Sequence, residues 1–238
     1  MADYNYGAFS AEDYDFDTVT GPIPGQKAPD FLLTTSDGTP HALLDFEADF
    51  LVLELGSITC PLFQSRRKTM EELDLHAGRV SNAILYVREA HPGQDIPSHN
   101  DAASKLACAK RLVDEDGETR LVLVDDFDGS AHRAFGGMPN AVFIINKNGC
   151  VVFRAEWNNP VATRSALKAL LRGDPVPAKS YFRPADPAPA LRTLRRAGAG
   201  SAPDFFKSLP ALIWANLIKL NLRLLFNRPQ PVAHDIEC

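Results

Sequence analysis

The chain predicts an α/β fold, a three-layer sandwich with a mixed central sheet, extended by an N-terminal arm and a C-terminal amphipathic helix. Three observations predict it. Short apolar runs at Phe50–Leu55, Ala83–Val87 and Arg120–Val124 read as buried strands, and helix-compatible stretches separate them. Strand, helix, strand units of this kind make parallel neighbours through right-handed connections, so the first two runs end on the same edge of the sheet. Two further runs, Ala141–Ile145 and Cys150–Arg154, are joined by Asn146-Lys147-Asn148-Gly149, a hairpin signal that makes the sheet mixed.

Taken in order, the core begins at the turn residues Gly25–Asp30, which lead into Phe31–Leu33, and Asp37-Gly38 reads as a hairpin turn. The strand at Phe50–Leu55 is followed by a helix over Leu62–His76 and then by the strand at Ala83–Val87. His99–Val113 has helical spacing, with Ala103, Leu106, Ala107, Lys110 and Val113 as a mixed apolar stripe, and Asp114–Gly117 closes it. Arg120–Val124 ends in Asp125-Asp126 and gives way to a helical turn around Ser130–Phe135. Met138-Pro139 precedes the hairpin, and a helix over Val161–Leu171 finishes the unit. A hairpin, then βαβ, then αβ and finally an antiparallel ββα is the thioredoxin-like arrangement, in which a cis proline at the Pro139 junction packs beside an active-site thiol.

At 238 residues and 45% hydrophobic content, the chain can bury one substantial core and still carry extensions. It divides into an acidic flexible arm (1–24), the thioredoxin-like domain (25–172), a linker rich in Pro, Ala and Arg (173–204), and an amphipathic helix with its tail (205–238). The arm has neither the basic nor the apolar region of a signal peptide, and a terminal Cys238 makes no prenylation box. The linker is too poor in large apolar residues to build a core of its own.

Along the C-terminal helix, Ile213, Leu217, Leu220 and Leu224 share one face and Asn216, Lys219, Arg223 and Asn227 another. The apolar face docks on the domain, on a second subunit to make a homodimer, or peripherally on a membrane through 209–226; the heptad pattern does not separate these. No apolar run reaches the length of a spanning helix, because Asn216, Lys219, Asn221 and Arg223 interrupt this one. The net charge of −5 argues against a nucleic-acid partner. The four cysteines, Cys60, Cys108, Cys150 and Cys238, are too scattered for a disulfide framework or a zinc cluster, which points to a reducing cytosol.

Two motifs carry the chemistry. Gly56-Ser57-Ile58-Thr59-Cys60-Pro61 follows the first buried strand, and Tyr86-Val87-Arg88-Glu89-Ala90-His91-Pro92 follows the second. The topology brings Cys60 and His91 together in the crevice beyond the carboxyl ends of the strands. Cys60 falls at the first turn of the next helix with Pro61 where a missing N–H costs nothing, and the helix dipole there favours a thiolate. Ser57 and Thr59 can donate hydrogen bonds to the sulfur and lower its pKa further. Cys60, His91 and His99 lack a fourth ligand and a local spacing motif, so no metal and no bound cofactor are expected.

The two motifs together resemble the iodothyronine deiodinase family. Its Gly-Ser, Thr, selenocysteine or Cys, Pro, x, Phe pattern is met by Gly56, Ser57, Thr59, Cys60, Pro61 and Phe63. Its Tyr, x, x, Glu-Ala-His-Pro pattern is met by Tyr86, Glu89, Ala90, His91 and Pro92, and His99 falls on a further family histidine. The resemblance runs from Gly25 to Arg172. It implies an oxidoreductase that removes halogen reductively from a small aromatic substrate, with Cys60 as nucleophile and His91 as proton relay. By the same resemblance Glu89 orients His91, Ser57 and Thr59 hydrogen-bond the site, His99 joins the proton path or contacts substrate, and Tyr86, Pro139 and Phe63 contact substrate.

The sequence also departs from the family. Cysteine in place of selenium implies slow iodothyronine turnover. The family's cysteine two residues before the nucleophile is Ile58, its substrate-holding arginine is Ala141, and its downstream thiol is replaced by Thr119 and Arg120. Regeneration of Cys60 then falls to Cys108 as a resolving thiol, to Cys238, or to an external thiol reductant such as thioredoxin or glutathione. Two other readings stay open. A peroxiredoxin-like thiol peroxidase shares Ala28-Pro29-Asp30-Phe31 and a hydroxyl at Ser57, although Leu53 stands where its proline would. A redox-dead thioredoxin-like module would bind a partner through the C-terminal helix.

Overall fold

An apolar run without alternation belongs in the middle of a sheet covered on both faces, and Phe50–Gly56, buried at every position, lies there. The computed structural model describes residues 4–18, 20–75, 78–176, 179–227 and 230–238. Its seven strands are β1 (Leu32–Thr35), β2 (Pro40–Ala42), β3 (Phe50–Gly56), β4 (Val80–Tyr86), β5 (Leu121–Val124), β6 (Val142–Asn146) and β7 (Val151–Ala155). They form one sheet in the order β2-β1-β5-β4-β3-β6-β7. β3, β4 and β5 are parallel, while β2, β1, β6 and β7 pair antiparallel at the two sides, so the sheet is mixed and the fold thioredoxin-like.

Alternate residues of the central strands feed two cores. Phe50, Val52, Ile84 and Val122 face α1 (Pro61–Glu71), α2 (Ala102–Asp114) and α4 (Pro160–Leu171). Leu51, Leu53, Leu85 and Leu123 face the other way, toward the N-terminal arm, α3 (Ser130–Ala134) and the C-terminal helix. The helix expected over Leu62–His76 ends as α1 at Glu71 and continues as a 3-10 turn over Glu72–Leu75; His76 lies outside the described residues.

The arm is not a flexible appendage. Tyr4, Tyr6, Phe9 and Tyr14 are buried, and the Arg88 guanidinium sits 4.5 Å from the Tyr6 ring centre and 4.9 Å from that of Tyr14. Aromatic burial, invisible to a count of its acidic residues, outweighs the entropy of ordering the segment. The region read as a linker likewise contains α5 (Pro187–Ala197), which buries Leu194 and Ala197 and ties Arg196 to Asp116 at 2.7 Å.

Residues Ser201–Phe226 form one continuous helix, α6 (Ser201–Leu212), a π-helical stretch Ile213–Leu220 and α7 (Asn221–Phe226). By length and composition alone it is apolar enough to cross a membrane, which corrects the expectation that its polar residues preclude this. Those residues turn toward the domain. Asn216 Oδ1 accepts from Trp157 Nε1 at 2.8 Å, Lys219 meets Asp17 at 2.6 Å, and Arg223 meets Glu156 at 2.8 Å. Leu220 and Leu224 of the expected apolar face pack on the domain core beside these polar contacts, whereas Ile213 and Leu217 of that face, with Trp214, Leu222, Leu225 and Phe226, are exposed.

Two features were hidden in the sequence. Cys150 and Cys238 form a disulfide, with Cα atoms 5.8 Å apart, so neither is a free thiol and Cys238 cannot resolve Cys60. The chain's end returns to the β6–β7 hairpin, where Asn146 Nδ2 donates to the carbonyls of His234 at 3.1 Å and Ile236 at 2.9 Å. The cytosolic expectation rested on unpaired cysteines and loses that support. Under non-reducing conditions Cys238→Ser should cost about 3 kcal/mol in denaturant unfolding, and an unchanged midpoint would contradict this role for the bond. Second, the Met138-Pro139 bond is trans, as are all peptide bonds among the described residues. His132 Nε2 holds the Met138 carbonyl at 3.1 Å and Asn140 Nδ2 donates to Glu54 at 3.0 Å, fixing the chain on both sides of Pro139.

Candidate functional site

The parallel register of β3 and β4, running from Phe50 beside Val80 to Gly56 beside Tyr86, delivers the two motifs side by side. Gly56 is required where it stands, since a Cβ there would lie 2.3 Å from the Phe63 ring. Cys60 is the N-cap residue of α1 and Pro61 its first helical residue.

The hydroxyl and carboxyl groups of the motifs lock the two loops together. Ser57 Oγ accepts from the Ala90 amide at 3.2 Å. Thr59 Oγ1 donates to Glu89 Oε2 at 2.5 Å and accepts from the His91 amide at 3.2 Å. The Thr59 amide also donates to Glu89 Oε2 at 3.1 Å, and Tyr86 OH donates to Glu89 Oε1. Ser57 and Thr59 therefore do not serve the Cys60 sulfur, and Glu89 does not orient the His91 ring directly. Glu89 acts on His91 through Thr59 and the backbone, and burial raises its own pKa.

Cys60 and His91 open onto a single cavity of about 380 Å³. Pro61, Ala90 and Pro139 complete its floor. Its walls and roof come from Phe9 and Tyr14 of the arm, Trp157, Phe182, Leu194 of α5, and Phe205 and Leu209 of α6. The His91 ring lies 4.1 Å from Phe9 and 5.4 Å, edge-on, from Phe205, and its Nδ1 has no hydrogen-bond partner among the described residues. Of the residues expected to contact substrate, only Pro139 lines the cavity. Tyr86 and Phe63 are fully buried in the core between the sheet and α1 and α2, and His99 sits behind Glu89, its Nε2 3.4 Å from Oε1 but out of hydrogen-bond alignment.

Burial overrides the helix dipole at the thiol. Desolvation pushes Cys60 up to about 11 against the pull of the Phe63 and Leu62 amides and of Arg66, so the expected resting thiolate is corrected to a thiol. Desolvation likewise pulls His91 down to about 3, so its imidazole is neutral near pH 7. The alkylation rate of Cys60 by a neutral haloacetamide should therefore rise about tenfold per pH unit between about pH 7 and 9. A plateau near neutrality would show a thiolate already formed.

Cys60 and His91 line the cavity, and His99 is not among its lining residues. Glu89, His99 and Cys108 do bring three ligand atoms within 4.8 Å of one another. Both Glu89 oxygens already accept hydrogen bonds, and the charge of Lys105 acts on Glu89 and His99 against a further cation. Cys108, raised to about 12 mainly by burial, is not among the residues lining the cavity. Sequence reasoning missed the aromatic roof; its one signal was the density of rings at Tyr4, Tyr6, Phe9, Tyr14 and Phe16.

The model of the iodothyronine deiodinase family matches residues 12–162, more than half of the chain and both motif loops. The chain belongs to the iodothyronine deiodinase family. Membership in it supports a thiol-dependent redox function. No curated protein matches the chain. Among solved structures, it is similar to an uncharacterized conserved protein from Geobacillus kaustophilus, at 22% identity and a TM-score of 0.54 over 66% of this chain and 87% of that one. It is also similar to a hypothetical protein from Sinorhizobium meliloti 1021, at 19% identity and a TM-score of 0.52 over 66% and 89% of the two chains. These likenesses concern the fold. The deiodinase match covers the floor of the cavity with Tyr14 and Trp157 of its walls, while Phe9, α5 and the long C-terminal helix lie outside it.

Proposed function

We propose that this deiodinase-family protein reductively dehalogenates an aromatic substrate, with Cys60 as nucleophile and His91 as proton relay. The observation that carries the reading is that a thiol and an imidazole line one apolar, aromatic-walled cavity. With both groups neutral at rest, the thiol proton moves to His91 as the halogen bond is attacked. The Cys60 sulfur bonds to iodine, the carbon–iodine bond breaks, and the carbon takes the proton from His91. The products are the dehalogenated ring and a Cys60 sulfenyl iodide. One external thiol displaces iodide as HI and leaves a mixed disulfide; a second releases Cys60 and carries the oxidation away as a disulfide. With Cys238 bonded to Cys150, the reductant is an external thiol of the thioredoxin or glutathione kind.

A specific observation favours a second reading, a non-catalytic thioredoxin-like module: the raised Cys60 pKa, which a binding protein tolerates. Dithiol-driven iodide release, followed together with peroxide consumption, separates the readings. Iodide release lost in Cys60→Ser supports the dehalogenase. Peroxide consumption alone supports a thiol peroxidase, and neither activity supports the module.

A further inference from the structure

The polar groups of the cavity are already spoken for. Among its described lining residues none is Asp, Glu, Lys or Arg. Tyr14 OH pairs with Tyr6 OH at 2.5 Å, and Asn216 uses Oδ1 on Trp157 and Nδ2 on the Leu212 carbonyl at 3.2 Å. The guanidinium acting on Cys60, that of Arg66, donates to Asn140 Oδ1 at 3.0 Å and to the Arg183 carbonyl. What remains for a ligand is the Cys60 thiol and the His91 ring. The apolar lining continues to the surface, where Phe206, Ile213 and Leu217 both line the cavity and are exposed, at 51%, 42% and 40%.

We infer that this cavity takes a neutral, apolar aromatic ligand with a single hydrogen-bonding group beside His91, and rejects one bearing an ammonium-carboxylate head. The inference rests on the dehalogenase reading for the ligand's halogen, but its argument is desolvation. An amino-acid head placed among these side chains would lose its hydration and find no counter-charge, whereas a phenol or unsubstituted ring loses little and meets Phe9, Trp157 and Phe205. The same burial that makes the cavity apolar keeps Cys60 and His91 uncharged, so site and ligand match in polarity.

A matched pair of ligands tests this: iodotyrosine, and the iodinated para-cresol that has a methyl group in place of its amino-acid chain. Calorimetric titration of the full-length Cys60→Ser chain, which holds no nucleophile, reads binding without turnover. The cresol should bind at least about tenfold more tightly. In Ile213→Arg, where an exposed position at the mouth gains a cation, the preference should narrow. Equal or tighter binding of iodotyrosine, or binding of neither, overturns the inference. Iodide release by the native chain is read separately. A binding preference without release keeps the inference and ends the dehalogenase reading; release from iodotyrosine with no preference does the reverse.

Discussion

His91→Ala should lower iodide release by about a hundredfold or more while leaving the rate of Cys60 alkylation within about twofold. The asymmetry follows from the resting state. Cys60 is a thiol raised by burial and His91 a neutral base, so a single proton must travel from sulfur through the imidazole to the ring carbon. Alkylation needs only the thiolate, which solvent base can generate, whereas carbon protonation inside the apolar cavity has few alternatives: the Tyr14 hydroxyl is paired with Tyr6 and its pKa is raised by burial. Equal losses in both assays would mean that His91 holds the fold of the site rather than moves the proton.

The second large effect is structural. Arg120→Leu should destabilise the chain by about 3–5 kcal/mol in denaturant unfolding, because it leaves the buried Glu54 carboxylate without its paired cation and Glu118 with Arg67 alone. Arg120 Nη1 lies 2.8 Å from Glu54 and its Nε 2.8 Å from Glu118, and both ends of each pair are almost wholly buried. Glu54 stands in the central strand that leads into the Cys60 loop, and its other partners, Asn140 at 3.0 Å and Asn158 at 2.6 Å, are neutral amides. Replacing Glu54 and Arg120 together by Leu should recover part of the loss, since two apolar side chains need no counter-charge. A single-variant loss below about 1 kcal/mol would contradict this account of the network.

The sheet and the meeting of Cys60 with His91 were legible because both depend on local signals: unbroken apolar runs fix the strands, and parallel pairing fixes which ends meet. Fold class and family followed from those few residues. The cavity was not legible, because its roof is gathered from Phe9, Trp157, Phe182 and Phe205, which no spacing rule connects. The thiol's protonation state depends on that roof, so the helix-dipole argument, sound for an exposed cysteine, gave the wrong direction. Glu54 escaped notice as one acid inside an apolar run, and its partners Arg120, Asn140 and Asn158 lie 66 to 104 residues away. The C-terminal helix was read by its apolar stripe, yet Asn216, Lys219 and Arg223 make its specific contacts because partners for them, Trp157, Asp17 and Glu156, are waiting on the domain.

The most direct test of the central claim is a single turnover without reductant. The full-length reduced chain is mixed with an excess of an iodinated phenol, and the dehalogenated ring is counted against protein. One ring per chain, formed in a burst that is lost in Cys60→Ser and restarted by added thiol, is the result expected of a Cys60 sulfenyl iodide. Product formation that persists without Cys60, or no product from the native chain, would contradict it.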